Sequence, residues 1–509
     1  MVKSRISNFR FKISKTLNGH LDRNFFGDLD GWRTGENFRF DVAQQVTEYV
    51  EKYSDRVVPI LSKRDYSTVV SFVAAIMANK SFASIDPNQP AERLDACVHQ
   101  ISLLNNPIPI FSPIKETDSK PQNRRRTERD SLSALASNSQ FSTNDDSLAY
   151  ILFTSGSTGI PKGVRISDSN LENTLLWGQD SFSWNPNDVI GIVANPFFDI
   201  SIFDIFTSIY FGIPMYYLSD PSNIEKCLDE ISENGITTLF SAPVFFSQIV
   251  RSGAISDTRL SNLKRIISGG DFFPPPHILS WRYEWKELNI YNVWGPTETS
   301  IVNSAHLINV GDEKLLQEGK SPSIGKSTSR MKIEIHDQNG LVVPDKVEGE
   351  LVVIGDSVGL GYLDDTKIFD SGFFKKAGAP AFRTKDLGFR DEGGSIFMTG
   401  RSGFLAKING FRIDLREIES RCLEIAGVSN CVAFPHIIAD GITELVAFIE
   451  HDENTQNLKI ADVKNWLRLK LPAYMVPKKL FILQEFPIAS TGKIDRKNLI
   501  ANFLENFSV

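Results

Sequence analysis

A run of hydroxyl and glycine residues closed by a lysine, Thr154-Ser155-Gly156-Ser157-Thr158-Gly159-Ile160-Pro161-Lys162-Gly163, is the stretch of this chain best equipped for chemistry. It offers backbone N–H groups and hydroxyl oxygens with little side-chain bulk, which suits a polyphosphate. It differs from the P-loop that opens a helix with Gly-Lys-Ser/Thr, because Lys162 is followed by Gly163 and the strand-like Val164-Arg165-Ile166. The apolar Leu148 to Phe153 before it also reads as a strand. The loop is therefore expected to join two strands as a flap that holds phosphates. An ordinary Gly/Ser turn is the bland alternative, and the length and order of the run count against it.

Other stretches repeat this density of chemistry. In Asn292-Val293-Trp294-Gly295-Pro296-Thr297-Glu298, an aromatic precedes a Gly-Pro turn and can lie along a base, a threonine can reach a phosphate, and a carboxylate can hold Mg²⁺. Phe382-Arg383-Thr384-Lys385-Asp386-Leu387 and Gly400 to Asp414 follow, then Leu471 to Pro477, and last Pro487-Ile488-Ala489-Ser490-Thr491-Gly492-Lys493-Ile494-Asp495-Arg496. Earlier stand Ser84 to Arg93, a strand-to-helix turn punctuated by Pro87 and Pro90, and Asn195-Pro196-Phe197-Phe198-Asp199-Ile200-Ser201-Ile202-Phe203. In this order the stretches resemble the signature motifs of the adenylate-forming enzymes: acyl-CoA synthetases, luciferases and the adenylation domains of non-ribosomal peptide synthesis. The resemblance spans nearly the whole chain and is nearest to free-standing amino-acid:carrier-protein ligases, including the D-alanine-activating type.

The resemblance implies roles for particular residues. Thr154, Ser155, Gly156, Ser157, Thr158, Gly159 and Lys162 would hold the phosphates of ATP, and Asn292, Val293, Trp294 and Gly295 would flank the adenine. Thr297 would meet the α-phosphate, Glu298 would hold Mg²⁺, and Asp386, with Arg401 as neighbour, would accept the ribose hydroxyls. Lys493 would bridge the substrate carboxylate and the α-phosphate, stabilising charge when a small domain closes. Four positions depart from the family pattern: Trp294 stands for tyrosine, Lys385 for glycine, Gly403 for the hinge aspartate and Leu405 for glutamine. Trp294 keeps a stacking surface. Gly403 widens the backbone range at the hinge, so rotation remains possible but less biased toward particular stops.

The substrate class follows from Asp199, whose counterpart in amino-acid-activating members pairs with the α-ammonium. A buried carboxylate without a cationic partner would be costly, so the pocket calls for an amine. Aligned by motif, the side-chain pocket would take Ile200, Phe203, Ile267, Gly269, Val293, Ile301 and Val302, with Phe240 or Ser241 beside them. None is charged, so an apolar side chain, aliphatic or aromatic, is expected, with Gly269 leaving room beyond a methyl group. About 16 residues follow Lys493, so a phosphopantetheinylated carrier protein is expected in trans. After adenylation the small domain is expected to rotate, bringing residues 407–410 to face the cleft. Two other readings stay open: an acyl-CoA ligase for a non-amino acid, against which Asp199 speaks, and a non-catalytic relative, suggested by Gly403 and Leu405.

These residues need a scaffold, and 509 residues at 41% hydrophobic are ample for two domains or more. Strands and helices alternate after the glycine-rich loop, with helices expected at Val42 to Lys52, Val69 to Ala78 and, capped by Ser167 to Asn170, onward to about Asp180. Near Gly400 the pattern changes to helix-strand-strand-helix-strand-helix. The fold class expected is α/β: a large multi-sheet N-terminal domain of the adenylate-forming fold over 1–400, carrying ATP and amino-acid sites, and a small mobile α+β domain over 401–509. Residues 113–146, with Arg124-Arg125-Arg126, read as an exposed connection.

A net charge of −7 argues against a nucleic-acid binder. Cys97, Cys227, Cys422 and Cys431 lack paired spacing, so neither a disulfide framework nor a zinc site is indicated and a reduced, cytoplasmic setting fits. Lys3, Arg5, Arg10, Lys12 and Lys15 precede no apolar signal-peptide core, and no apolar run approaches the roughly 20 residues of a membrane span.

Overall fold

A computed structural model describes residues 9–19, 22–52, 57–104, 147–154, 161–328, 330–364, 372–438, 443–451, 458–487 and 494–507. The connection read at 113–146, the glycine-rich loop from Ser155 to Gly159, and Lys493 lie outside the described residues. Internal contacts divide the chain into two compact units. The larger holds the described residues up to Ser402 except 88–96 and Pro161, and the smaller holds those together with the described residues from Gly403 onward.

Three sheets build the larger unit. Its eight-stranded sheet runs, in spatial order, Ser304–Leu307, Asn289–Trp294, Arg265–Gly269, Thr238–Ser241, Ile190–Ile192, Met215–Tyr217, Asn24–Asp28 and Gly31–Thr34. The central strands pair in parallel and are buried on both faces, so all five residues of Arg265–Gly269 are buried, the Arg265 guanidinium being paired with Asp188 at 2.8 Å. A four-stranded sheet joins Val57–Leu61, Ser81–Ile85, Leu148–Thr154 and Lys162–Ser167. The third sheet is antiparallel around the long strand Ala379–Arg390, flanked by Gly349–Ile354 and Ser395–Arg401.

Helices are set by caps and apolar faces. Ser167 caps Asp168–Phe182 in a reciprocal box with Asn170, and Asp65 caps Tyr66–Met77 by accepting from the Thr68 N–H. The helix expected from Val42 begins earlier, at Gly35, because Phe38 continues the face of Val42, Val46 and Tyr49, all fully buried. A helix at Phe9–Leu17 places Phe9, Ile13 and Leu17 in the main core. Arg10, one of the N-terminal basic residues, is buried there: its Nε donates to Asp168 Oδ2 at 2.5 Å, and its other nitrogens reach the carbonyls of Ile76, Lys80 and Leu148.

The smaller unit is α+β. A hairpin pairs Leu405–Ile408 with Phe411–Asp414 through Asn409 and Gly410, both at positive φ, the two-residue turn that matches strand twist. Then come helix Leu415–Leu423, strands Val428–Ile437 and Thr443–His451, helix Ile460–Lys470, strand Lys479–Leu483 and helix Arg496–Phe507. Among the described residues no helix is long and apolar enough to cross a membrane.

Candidate functional site

The two strands around the glycine-rich loop pair antiparallel with Thr154 opposite Lys162, which fixes the ends of the loop. Segment 359–363 lies along the second of these strands: Leu363 N donates to Gly163 O at 2.8 Å, Arg165 N to Gly361 O at 3.0 Å and Leu360 N to Arg165 O at 2.8 Å. The same segment reaches the Gly-Pro turn, with Gly359 N donating to Glu298 O at 2.9 Å. Lys162 Nζ sits 5.4 Å from the centroid of the Tyr362 ring, and the Tyr362 hydroxyl donates to Glu298 Oε1 at 2.7 Å. Glu298 is fully buried.

The Gly-Pro turn hangs from the end of strand Asn289–Trp294, and its residues reach in two directions. Thr297 Oγ1 donates to Asp199 Oδ2 at 2.5 Å, and Trp294 Nε1 donates to Asp386 Oδ2 at 2.8 Å. Asp199 opens helix Asp199–Phe211. It is half-buried and hydrogen-bonded, so its local situation is milder than the buried, uncompensated carboxylate expected of it. Burial first, and then the Asp199 carboxylate, push the Tyr150 phenol well above its ordinary value, and the Tyr150 hydroxyl has no hydrogen-bond partner among the described residues.

Trp294 and Asp386 are 3% and 2% exposed. The exchange of tyrosine for tryptophan therefore supplies a buried N–H aimed at Asp386 as well as a ring. Arg401 lies on the other side, its Nε 3.2 Å from Asp386 Oδ1. Lys385, where the family has glycine, keeps the left-handed backbone with φ of 64°, and its carbonyl accepts from Ser402 N at 2.7 Å. Gly403 has φ of 86°, a left-handed conformation that glycine adopts without strain. Asn292 Nδ2 donates to Ser323 O at 2.9 Å.

The residues assigned to the side-chain pocket come together, but not around a large space. Phe203, Ile267, Val293, Ile301 and Val302 are 0 to 4% exposed and belong to one core cluster, with Ile200 packed against it. Phe203 packs into Phe182, Trp184 and Phe240, and Phe240 itself is buried. The room expected at Gly269 is absent: a Cβ there would come within 2.6 Å of Val293 Cγ2 and 3.0 Å of its carbonyl. Glycine at 269 serves the close approach of adjacent strands.

Past the Gly-Pro turn, Ser300 and Ile301 both carry positive φ, 61° and 77°. For a β-branched residue this is a strained state costing on the order of 1–3 kcal/mol. It is held by Thr174 Oγ1 on Ser300 O at 2.9 Å and Asn303 N on Trp294 O at 2.8 Å. Gly295 lies against the backbone of Ile301 to Asn303, where no side chain would fit.

Tyr362, Tyr150 and Thr174 are the residues that motif reading passes over. Tyr362 touches Glu298 across 64 positions, and no spacing rule links them.

Among the described residues no group of three or more His, Cys, Asp or Glu side chains could hold a metal ion.

Comparison with known proteins gives consistent matches. The sequence pattern of the AMP-binding enzyme family matches residues 51–363, and that of the AMP-binding enzyme C-terminal domain matches 417–493. The chain is 30% identical over 449 residues to a D-alanine--D-alanyl carrier protein ligase of Bacillus licheniformis, covering 84% of this chain and 86% of that protein. It is 27% identical over 475 residues to the protein of that name from Bacillus velezensis, covering 90% and 92%. In fold it is similar to the Vibrio cholerae adenylation domain AlmE, solved with glycyl-adenosine-5'-phosphate: TM-score 0.83 at 21% identity, covering 99% of this chain and all of that one.

Proposed function

The chain belongs to the AMP-binding enzyme family, and from that premise we propose that it activates an amino acid with ATP and passes the aminoacyl group to the phosphopantetheine thiol of a carrier protein supplied in trans. In the first step the substrate carboxylate attacks the α-phosphorus and pyrophosphate departs. In the second a thiolate takes the acyl group and AMP departs.

The observation that carries this reading is the Thr297–Asp199 hydrogen bond of 2.5 Å. It sets the residue for the α-phosphate beside the carboxylate for the substrate ammonium, so one turn serves both reactants. Trp294 and Arg401 hold Asp386 for the ribose. Thr154 and Lys162, with Ser155 to Gly159 between them, take the phosphates, and Lys493 takes charge at the α-phosphate. Gly403 serves as the hinge between a core of residues 1–400 and a lid of 401–509.

Mg²⁺ fits this arrangement. Glu298 supplies one carboxylate with an oxygen already held by Tyr362, and an ion held by a single carboxylate together with phosphate oxygens and water is the habit of Mg²⁺. When bound, the ion would neutralise phosphate charge.

The amino acid has an apolar side chain, and a small one. Phe203, Ile267, Val293 and Val302, uncharged and at most 4% exposed, form a closely packed apolar lining, which favours a small apolar group. The relatives named for D-alanine agree with a side chain of about one carbon.

The test is exchange of labelled pyrophosphate into ATP across the free amino acids. We expect exchange with the smallest ones, loss with Asp199→Ala, and strong reduction with Lys493→Ala. Exchange driven equally by acids lacking an amine would transfer the assignment to an acyl-CoA ligase, and full exchange after Lys493→Ala would remove the role given to that lysine.

A further inference from the structure

We propose that Tyr362 is a positioning residue for the nucleotide site, its hydroxyl holding Glu298 ready for a divalent cation and its ring holding Lys162 ready for the phosphates. The inference rests on the nucleotide reading above and assigns a residue that reading does not need. Tyr362 is 4% exposed, and its ring is braced edge-on by Phe373 at 5.3 Å. Its backbone bridges to Val164, and its neighbours Gly361 and Leu363 bond to the strand that follows the loop. The phenol thus moves with the chain that carries Lys162.

From this fixed base the ring meets the Lys162 ammonium at 5.4 Å, a cation–π contact, and the hydroxyl meets Glu298 Oε1 at 2.7 Å, a charge-assisted bond. Holding one carboxylate oxygen limits how the other can turn toward a cation, as partners of metal ligands commonly do. Phenylalanine would preserve the ring contact and lose the hold on Glu298, so the two functions separate in one substitution.

The experiment is calorimetric titration of the full chain with ATP, in EDTA and across a Mg²⁺ series, for the parent, Tyr362→Phe, Glu298→Gln and the double variant, with circular dichroism to check folding. Tyr362→Phe is expected to raise the Mg²⁺ concentration for half-maximal tightening of ATP binding roughly 10- to 100-fold, leaving ATP affinity in EDTA within about twofold. Glu298→Gln should remove the Mg²⁺ dependence, and the double variant should be no worse than Glu298→Gln alone. An unchanged Mg²⁺ series in Tyr362→Phe, additive losses in the double variant, or Mg²⁺ dependence that survives Glu298→Gln would each overturn the proposal. The last comparison holds even if Tyr362→Phe does not fold. A parent chain that binds no ATP would instead sink the nucleotide reading itself.

Discussion

Replacing Trp294 with phenylalanine keeps an aromatic ring beside the Gly-Pro turn and deletes one buried N–H. That N–H donates at 2.8 Å to Asp386, and both groups are at most 3% exposed. A hydrogen bond to a charged group contributes about 1.5–3 kcal/mol, which corresponds to roughly 10- to 100-fold in an equilibrium constant. Arg401 stays 3.2 Å from the other oxygen, so the carboxylate keeps a charge partner and loses its direction. If Asp386 receives the ribose diol, Trp294→Phe should weaken ATP by roughly 10- to 100-fold and weaken 2′-deoxy-ATP and 3′-deoxy-ATP by less.

Calorimetric affinities for the three nucleotides, in a cycle with Asp386→Asn, measure this directly. The lost ring area would affect all three nucleotides alike, so it does not imitate the expected narrowing of their ratio. Equal losses for all three, or full additivity with Asp386→Asn, would refute the reasoning and leave Trp294 as a stacking surface only.

Two further outcomes follow from backbone and charge. Lys385 holds φ of 64°, a conformation costing about 1–2 kcal/mol outside glycine, while glycine adds about 0.5–1 kcal/mol of unfolded-state freedom. Lys385→Gly should therefore raise the thermal midpoint by a net stabilisation of up to about 1.5 kcal/mol, and a lowered midpoint would contradict it. At Glu334, burial works to raise the carboxyl pKa, but hydrogen bonds from Lys332, Lys376 and His336 outweigh it and bring the value from 4.5 to about 2. A depressed carboxyl stabilises above its unfolded value and loses that contribution as pH falls through the folded one. The advantage of the parent over Glu334→Gln should hold above about pH 4.5 and shrink toward about pH 2 in denaturation series, whereas a constant difference would count against the network.

Features legible in the sequence were those in which cause and effect lie close along the chain. Ser167 and Asn170 announce a helix start three residues apart, and the apolar runs on either side of the loop pair as strands because the loop leaves them adjacent. Asn409-Gly410 was an equally local signal of a hairpin, though the motif around it was read for its hinge.

Contacts that cross the fold were not legible. Thr297 meets Asp199 over 98 positions and Trp294 meets Asp386 over 92. Composition at Gly269 suggested space, whereas the register against Val293 puts that side chain where a Cβ at 269 would lie. Arg10 read as one more basic residue near the N-terminus, because its partner Asp168 is 158 positions away.

The family's sequence pattern starts at residue 51, but the packed interior starts at Phe9, whose ring lies on Phe206 and Tyr210. A fragment trimmed to the pattern would strip that ring from the helix that begins with Asp199 and take away two edge strands of the largest sheet. It would also leave Asp168 as a buried charge without its guanidinium, a loss on the order of 3–5 kcal/mol. Anyone moving this fold into another chain has to cut ahead of Phe9, since the helix Phe9–Leu17 is masonry under the helix that begins with Asp199.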